Sequence, residues 1–577
     1  MTDFRSRIDA FLGEFFPLFP TAATSIGEHA YDDRWPDMTA AGRQERIALA
    51  DRWLAEIRDL DDLSAEDAVD RDLLVQQLEA MRFSDLDLRE EAWNPLDWVY
   101  LLGGGLFPLI SREFAPLAER LASMAGRLER IDAVVDAAIE EIGPVRDTPV
   151  ARFHTEKAIE QLPGVIELAD EAIAAAEAAE SGDPAVAGVL PRLRSAAEQA
   201  RAALARFEHH LREEVLPNSE GEGRLGARLF AEKMRHTMRS DALTPDRILE
   251  RAEREYGTVR AEMVRLARDL WPTWLPDTPL PDDEQRLVRG VLDAIATDHP
   301  RSDELLDFCR EELERVEAFC REHDLIGLAD EPLDIRWTPT FMRAFGGAML
   351  DSPGPLDAGE KAFFAITPVP DDWPDDRKES YLREDNARML RLLTIHEAVP
   401  GHYLQGVYSN REPSMLRTIF GSGLFHEGWA VYVTQVMMDV GYGAEDPALL
   451  LVHWKFYLRS ITNAIIDSRI HVHGMTGDEA VELMVEGGFQ EEAEARNKFD
   501  RARLSSTQLS TYFAGSMEFW DIEHEVRQRA AGDGAVPEPR VVGGYGETPG
   551  FTYRPHLENL ISHGAPPTSL LRRLVLG

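Results

Sequence analysis

Apolar residues recur along this chain at intervals of three and four, the spacing that gathers them on one face of an α-helix. Leu117, Leu121, Met124 and Leu128 form one such stripe. Longer stretches run from Leu190 to Val215, rich in Ala, Arg and Glu, and from Pro245 to Leu270, where Thr244 stands as N-cap before a proline at the first helical position. Gly, Pro, Ser and Asp break the pattern from Leu216 to Gly223 and from Pro272 to Asp283. No repeat of fixed period is present, and the Ala/Glu run from Ala172 to Glu180 fits helix. A soft boundary is expected near residue 240, between an N-terminal helical lobe (1–240) and a C-terminal lobe (241–577) that pack as one continuous helical body.

One region reads differently. From Met349 to Pro370, four prolines surround the short apolar run Ala362-Phe363-Phe364-Ala365-Ile366, which suits a strand. The next helix carries an apolar face of Met389, Leu392 and Leu393, and His396 ends that stripe.

The chemistry concentrates there, in His396-Glu397-Ala398-Val399-Pro400-Gly401-His402 and, further on, His426-Glu427-Gly428-Trp429. Two histidines and a later glutamate are the ligand types of a catalytic zinc site, which keeps three protein ligands and an open position. A carboxylate beside the metal can take the proton of an attacking water and deliver it to a leaving group. The expected ligands of one Zn²⁺ are therefore His396, His402 and Glu427, with Glu397 as general base.

The spacing needs explaining, because a six-residue step turns an ideal helix by ~240° and the two rings would diverge. Position i+4 is Pro400, which cannot bind metal; proline also biases Val399 away from the α region, and Gly401 permits unusual dihedrals. Pro400-Gly401 is expected to bulge the helix and return His402 to the side of His396. The competing expectation ends the helix at Val399 and leaves His402 in a turn. His426 adjoins Glu427 but points ~100° away on a helix, and is cast as a hydrogen-bonding neighbour. Asp467 and His471, four apart, suggest a structural hydrogen-bonded pair.

These motifs, H-E-A-V-P-G-H-Y-L-Q followed by E-G-W-A-V-Y, resemble the bacterial DUF885 family. That family is similar to the gluzincin-type metallopeptidases: zinc carboxypeptidases, oligopeptidases and the angiotensin-converting-enzyme group. The likeness continues through Arg501, Gln508, Tyr512 and Gly515 and the tail from His556 to Pro567. It departs at Ser506, where the family usually has proline, and at Thr434, where it usually has an acid. The resemblance implies a mainly α, zincin-like helical fold with a long substrate cleft and a small β segment beside it. It implies that Glu427 is the third ligand, and that an edge strand near residues 362–366 pairs with the substrate backbone; a structural hairpin there is the competing expectation. It also implies Tyr512 as donor to the tetrahedral oxyanion, with His556 as second candidate. A carboxypeptidase or dipeptidase needs a cation for the substrate's terminal carboxylate, and Arg343, Arg459 and Arg501 stand in suitable surroundings.

Composition narrows the classes. The formal charge is −42 over 577 residues, which opposes binding to nucleic acid or to an anionic membrane surface. Cys309 and Cys320 make no disulfide framework, and about three helical turns separate them. The apolar stretch Phe11 to Pro20 is interrupted by Glu14 and Pro17, unlike a secretory signal. The run Trp98 to Ile110 is too short to span a bilayer. A cytoplasmic location is expected. Three classes stay open: a zinc peptidase acting on short peptides, a metal enzyme hydrolysing a non-peptide amide or C–N bond, and a helical scaffold that merely retains a metal. Two histidines and a carboxylate also describe a non-haem iron site, but the strand alternation of a barrel is missing.

Overall fold

The computed structural model describes residues 3–338, 347–357, 359–532, 534, 536, 537, 539 and 541–577. The protein is mainly α-helical, with one small sheet. Its chain divides into two compact units, Met1–Leu225 with Pro353–Glu360, and Gly226–Ser352 with Lys361–Gly577. The division thus falls fifteen residues before the position expected from the sequence, and a short piece from the C-terminal half belongs to the first unit.

In the first unit the stripe read from the sequence faces inward. Leu121, Met124 and Leu128 are buried on helix Leu117–Glu129, which packs along Pro184–His210. Each such side chain contributes roughly 1.5–3 kcal/mol by leaving water. Arg127, on the same helix, is fully buried and hydrogen-bonded to Thr24 Oγ1 and to the carbonyls of Arg34 and Gly105. Burial lowers its pKa to about 10, opposed by Asp32 and Asp33.

The second unit begins with helix Gly226–Met238. Helix Pro245–Trp274 follows; Thr244 caps it by accepting from the Arg247 N–H (3.4 Å), and it continues through Pro272, where a loop was expected. Cys309 and Cys320 lie on helix Leu305–Glu322 as free, buried thiols, both pushed up to about 12 by burial. Among the described residues, no helix is long and apolar enough to cross a membrane.

Three strands form the sheet: β1 (Leu333–Trp337), β2 (Ala348–Asp351) and β3 (Ala362–Ile366), in the order β1-β3-β2. β3 runs parallel to β1, with Ile335 opposite Phe364, and antiparallel to β2, with Leu350 opposite Phe364. The expectation that residues 362–366 form an exposed edge is therefore corrected. β3 is the central strand, and its near-continuous apolar run is what a strand covered on both faces requires. Among the described residues, β1 and β2 are its edge strands. Ile335, Phe364 and Ile366 share an apolar cluster with Leu390 and Ala398, which seats the sheet against the helix that carries His396.

Candidate metal centre

Helix Ala387–Glu397 opens with Asn386 as N-cap, its side chain accepting from the Arg388 and Met389 N–H groups at 3.1 and 3.2 Å. It stops at Glu397. Ala398 leaves the helical region with ψ of −95°, the Val399–Pro400 peptide is cis, and a new helix, His402–Asn410, starts directly after Gly401. The expected bulge is thus a clean break: two helices joined by Ala398–Gly401. Neither a continuous helix nor a lone turn places His402.

Three contacts fix that turn. The Gly401 N–H donates to the Ile395 carbonyl (3.0 Å), and Trp429 Nε1 donates to the Pro400 carbonyl (2.9 Å). The third is steric. A Cβ on residue 401 would overlap the carbonyl oxygens of Ile395 and His396, backbone atoms that cannot give way, so only glycine fits. The result is convergence: the rings of His396 and His402 stand 4.8 Å apart, nearly perpendicular at 84°.

Glu427 comes from helix Gly423–Asp439 and completes the group. One ligand atom from each of His396, His402 and Glu427 lies within 4.8 Å of the others, and His402 Nε2 is 3.5 Å from Glu427 Oε2. His396 is 5% exposed, and its Nδ1 is buried without a well-formed hydrogen bond. Two imidazoles and one carboxylate, partly desolvated and turned toward one point, fit the donor set of a zinc site with an open position.

The electrostatics suit ligation. Burial, helped by the charge of His402, drives the His396 pKa down to about 3, so its imidazole is neutral. Burial also works against protonated His402, but its hydrogen bond to Glu427 and the charges of Glu397 and Glu427 outweigh this and raise it. For Glu427, burial is outweighed by the hydrogen bond and charge of His402, with help from His396 and Tyr512, and the carboxyl lies below its usual range. Glu397 is raised by burial and by the Glu427 charge.

Helix Leu509–Ala531 brings Tyr512 to the same place. Its hydroxyl lies near the Glu427 carboxylate, and Arg501 Nη2 (3.1 Å) and Gln508 Nε2 (3.4 Å) donate to it. Burial and the Glu427 charge push the phenol to about 12. The helix crosses Gly423–Asp439 at Gly428 and Gly515, where a Cβ on either glycine would overlap the other backbone. The turn before it is held by Asp467, which accepts from Thr507 N (3.0 Å), Ser510 N (3.1 Å) and Ser510 Oγ (2.7 Å). The suggested Asp467–His471 pair is thereby corrected: His471 Nε2 bonds instead to the Ala502 carbonyl (2.9 Å).

The arginines separate. Arg459 is engaged by two carboxylates, Glu384 (3.4 Å) and Glu494 (3.3 Å), so its candidacy as a substrate anchor is corrected. Arg501 donates to Gln508 and Tyr512 and pairs with no carboxylate among the described residues. Arg343 lies outside the described residues. His426 Nδ1 meets Gln405 Oε1 (2.7 Å), across to the helix of His402, and burial and the His402 charge lower it to about 4.

His556 is a correction as well. It is buried on helix Tyr553–Ile561, its Nε2 3.1 Å from Tyr432 OH and its ring against Phe551, in a network with Glu523 and Arg527. None of its contacts reaches His396, His402, Glu397 or Glu427. Tyr432 sits five residues after Glu427 on one helix, which turns it ~140° away from the side that carries Glu427.

Gln405, Trp429 and Asp467 were not singled out as site-building residues from the sequence. Trp429 had a visible signal, its place two residues after Glu427. Asp467 was visible only beside His471; its actual partners, Thr507 and Ser510, lie forty or more residues further on.

The chain matches DUF885, described as a bacterial protein of unknown function, over residues 20–575. Among solved structures it is similar to a candidate lipoprotein of unknown function from Shewanella oneidensis, with 29% identity, TM-score 0.82 and full coverage of both chains. A candidate lipoprotein from Colwellia psychrerythraea shares the fold, at 16% identity and TM-score 0.77, with coverage of 100% of this chain and 99% of that one. No curated protein matches. With the match spanning nearly its whole length, this chain belongs to DUF885.

Proposed function

We propose that this protein is a zinc-dependent hydrolase of short peptides, acting as a carboxypeptidase or dipeptidase in a zincin-like helical architecture. The observation that carries this is the convergence of His396, His402 and Glu427, with Glu397 on the residue beside the first ligand. A bound Zn²⁺ would polarise the substrate carbonyl and lower the pKa of water. The remaining roles belong to the chain. Glu397, raised by burial, takes a proton from the attacking water and returns it to the departing amine. Tyr512, kept protonated, donates a hydrogen bond to the developing oxyanion. Arg501, a guanidinium with no carboxylate partner among the described residues, binds the terminal carboxylate of the substrate.

The test is metal content together with cleavage of peptides blocked and unblocked at the C-terminus, for wild type and Glu397→Gln. One equivalent of zinc in both, with cleavage of unblocked peptides reduced by about 10²–10⁴-fold in the variant, is the expected result. Bound metal with no peptide cleaved by wild type would move the assignment to a non-peptide amide. Absence of stoichiometric metal would overturn it.

A further inference from the structure

The connection from β2 to β3 belongs by its packing to the first unit, and its contacts there are specific. Leu356 donates its N–H to the Ile26 carbonyl at 2.9 Å. A Cβ at Gly354 would stand 2.6 Å from the Ile26 carbonyl carbon, so the two backbones touch. Beside this contact, His29 bridges two acids: Nδ1 is 2.9 Å from Asp32 Oδ2, and Nε2 is 2.8 Å from Asp357 Oδ1. The ring lies flat on Phe114, with centroids 3.6 Å apart and planes at 8°.

An imidazole can donate at both nitrogens only when it is protonated. The carboxylates are 5% and 9% exposed, where an uncompensated charge is costly. Asp32 is further fixed by Thr24 Oγ1 (2.6 Å), which accepts in turn from buried Arg127 (2.6 Å). Among the described residues, no other charged side chain touches the ring. Asp33 faces Arg127, and Glu113 and Glu360 face Arg120. At its other end the connection continues into β2. That strand packs on helix Ala387–Glu397, and Leu350 lies beside the Glu397 carboxylate.

We propose that His29 is a pH-sensitive clasp: held as a cation between Asp32 and Asp357, it fixes the β2–β3 connection at Pro353–Asp357 against the turn at Ile26. The clasp does not rest on the function proposed above.

Burial works to lower the His29 pKa, but the hydrogen bonds and charges of Asp32 and Asp357 outweigh it and carry it from 6.5 to about 9. A histidine raised in this way stabilises the held state fully below its ordinary value. That stabilisation is lost as pH rises through the raised one.

Amide hydrogen exchange of the full chain, corrected for the intrinsic pH dependence, reads the clasp directly. At about pH 6, residues 347–357 of His29→Gln should exchange roughly tenfold or more faster than in wild type, the loss of one charge-assisted hydrogen bond. Wild type should converge on the variant by about pH 9.5, while helix Pro184–His210 is unchanged in both. Asp357→Asn leaves Asp32, Thr24 and Arg127 in place and should give the same acceleration if His29→Gln does not fold. Equal protection of residues 347–357 in wild type and variant at about pH 6, or no step in wild type between these pH values, overturns the proposal. Because exchange requires neither metal nor turnover, failure of the hydrolase assignment would appear separately, as missing activity with the step intact.

Discussion

Two clusters in the C-terminal unit combine a buried histidine, a carboxylate and a tyrosine hydroxyl, and they end in different states. Around His556 the groups satisfy one another. Its Nε2 meets Tyr432 OH, that hydroxyl donates to Glu523 (2.6 Å), and Glu523 accepts from Arg527 (2.6 Å), with both charged side chains 1% exposed. Arg527 also donates to Thr548 Oγ1 and covers the Phe551 ring at 3.8 Å. Around His396, neither Glu397 nor Glu427 forms an ion pair with lysine or arginine among the described residues, and one histidine nitrogen is left buried without a good partner. A polar cluster that closes on itself stabilises the fold. One whose lone pairs converge on a point leaves donors that the proposed metal would satisfy.

The largest test of this contrast is Arg527→Met. It leaves Glu523 buried without its cation and should cost about 3–5 kcal/mol in urea unfolding, with the zinc stoichiometry unchanged. Loss of metal at intact stability would mean that the two clusters are one. Glu427→Gln should do the reverse, weakening zinc by at least about 100-fold in competition titrations while the metal-free unfolding midpoint stays in place. Next comes Tyr512→Phe, expected to lower kcat by about 100-fold at near-constant KM; Tyr432→Phe should cost stability and leave kcat alone. An equal kcat loss in both would erase the distinction between the hydroxyls. Smallest is the null expected at Cys309 and Cys320. Buried and raised to about 12, these thiols should resist alkylation in native protein and react only on unfolding.

The sequence carried the three converging residues further than the geometry that assembles them. His396, His402 and Glu427 are visible as residue types at a spacing, and Tyr512 follows from a resemblance. How the first two rings meet was not legible, because it depends on carbonyls of Ile395 and His396 facing Gly401 across a break between helices. The central place of β3 was missed because pairing order is a property of three segments. His556 was misassigned for the same reason: its motif shows the histidine but not Tyr432, which lies 124 residues away. Arg459 and Arg501 look alike in sequence and differ in whether Glu384 and Glu494 form ion pairs with them. The His29–Asp357 bridge spans 328 residues and has no local signature at all.

Where helices Gly423–Asp439 and Leu509–Ala531 cross, main chain rests on main chain, with no side chain between to act as a compressible spacer. Glu427 is one residue from that contact and Tyr512 is three. The gauge between acid and phenol is therefore inherited from two backbones and not from rotamer choices. Substitutions elsewhere on these helices can change bulk, polarity and the shape offered to a ligand while the gauge stays fixed. Variety in what is bound can accumulate around such a joint without loosening the joint itself.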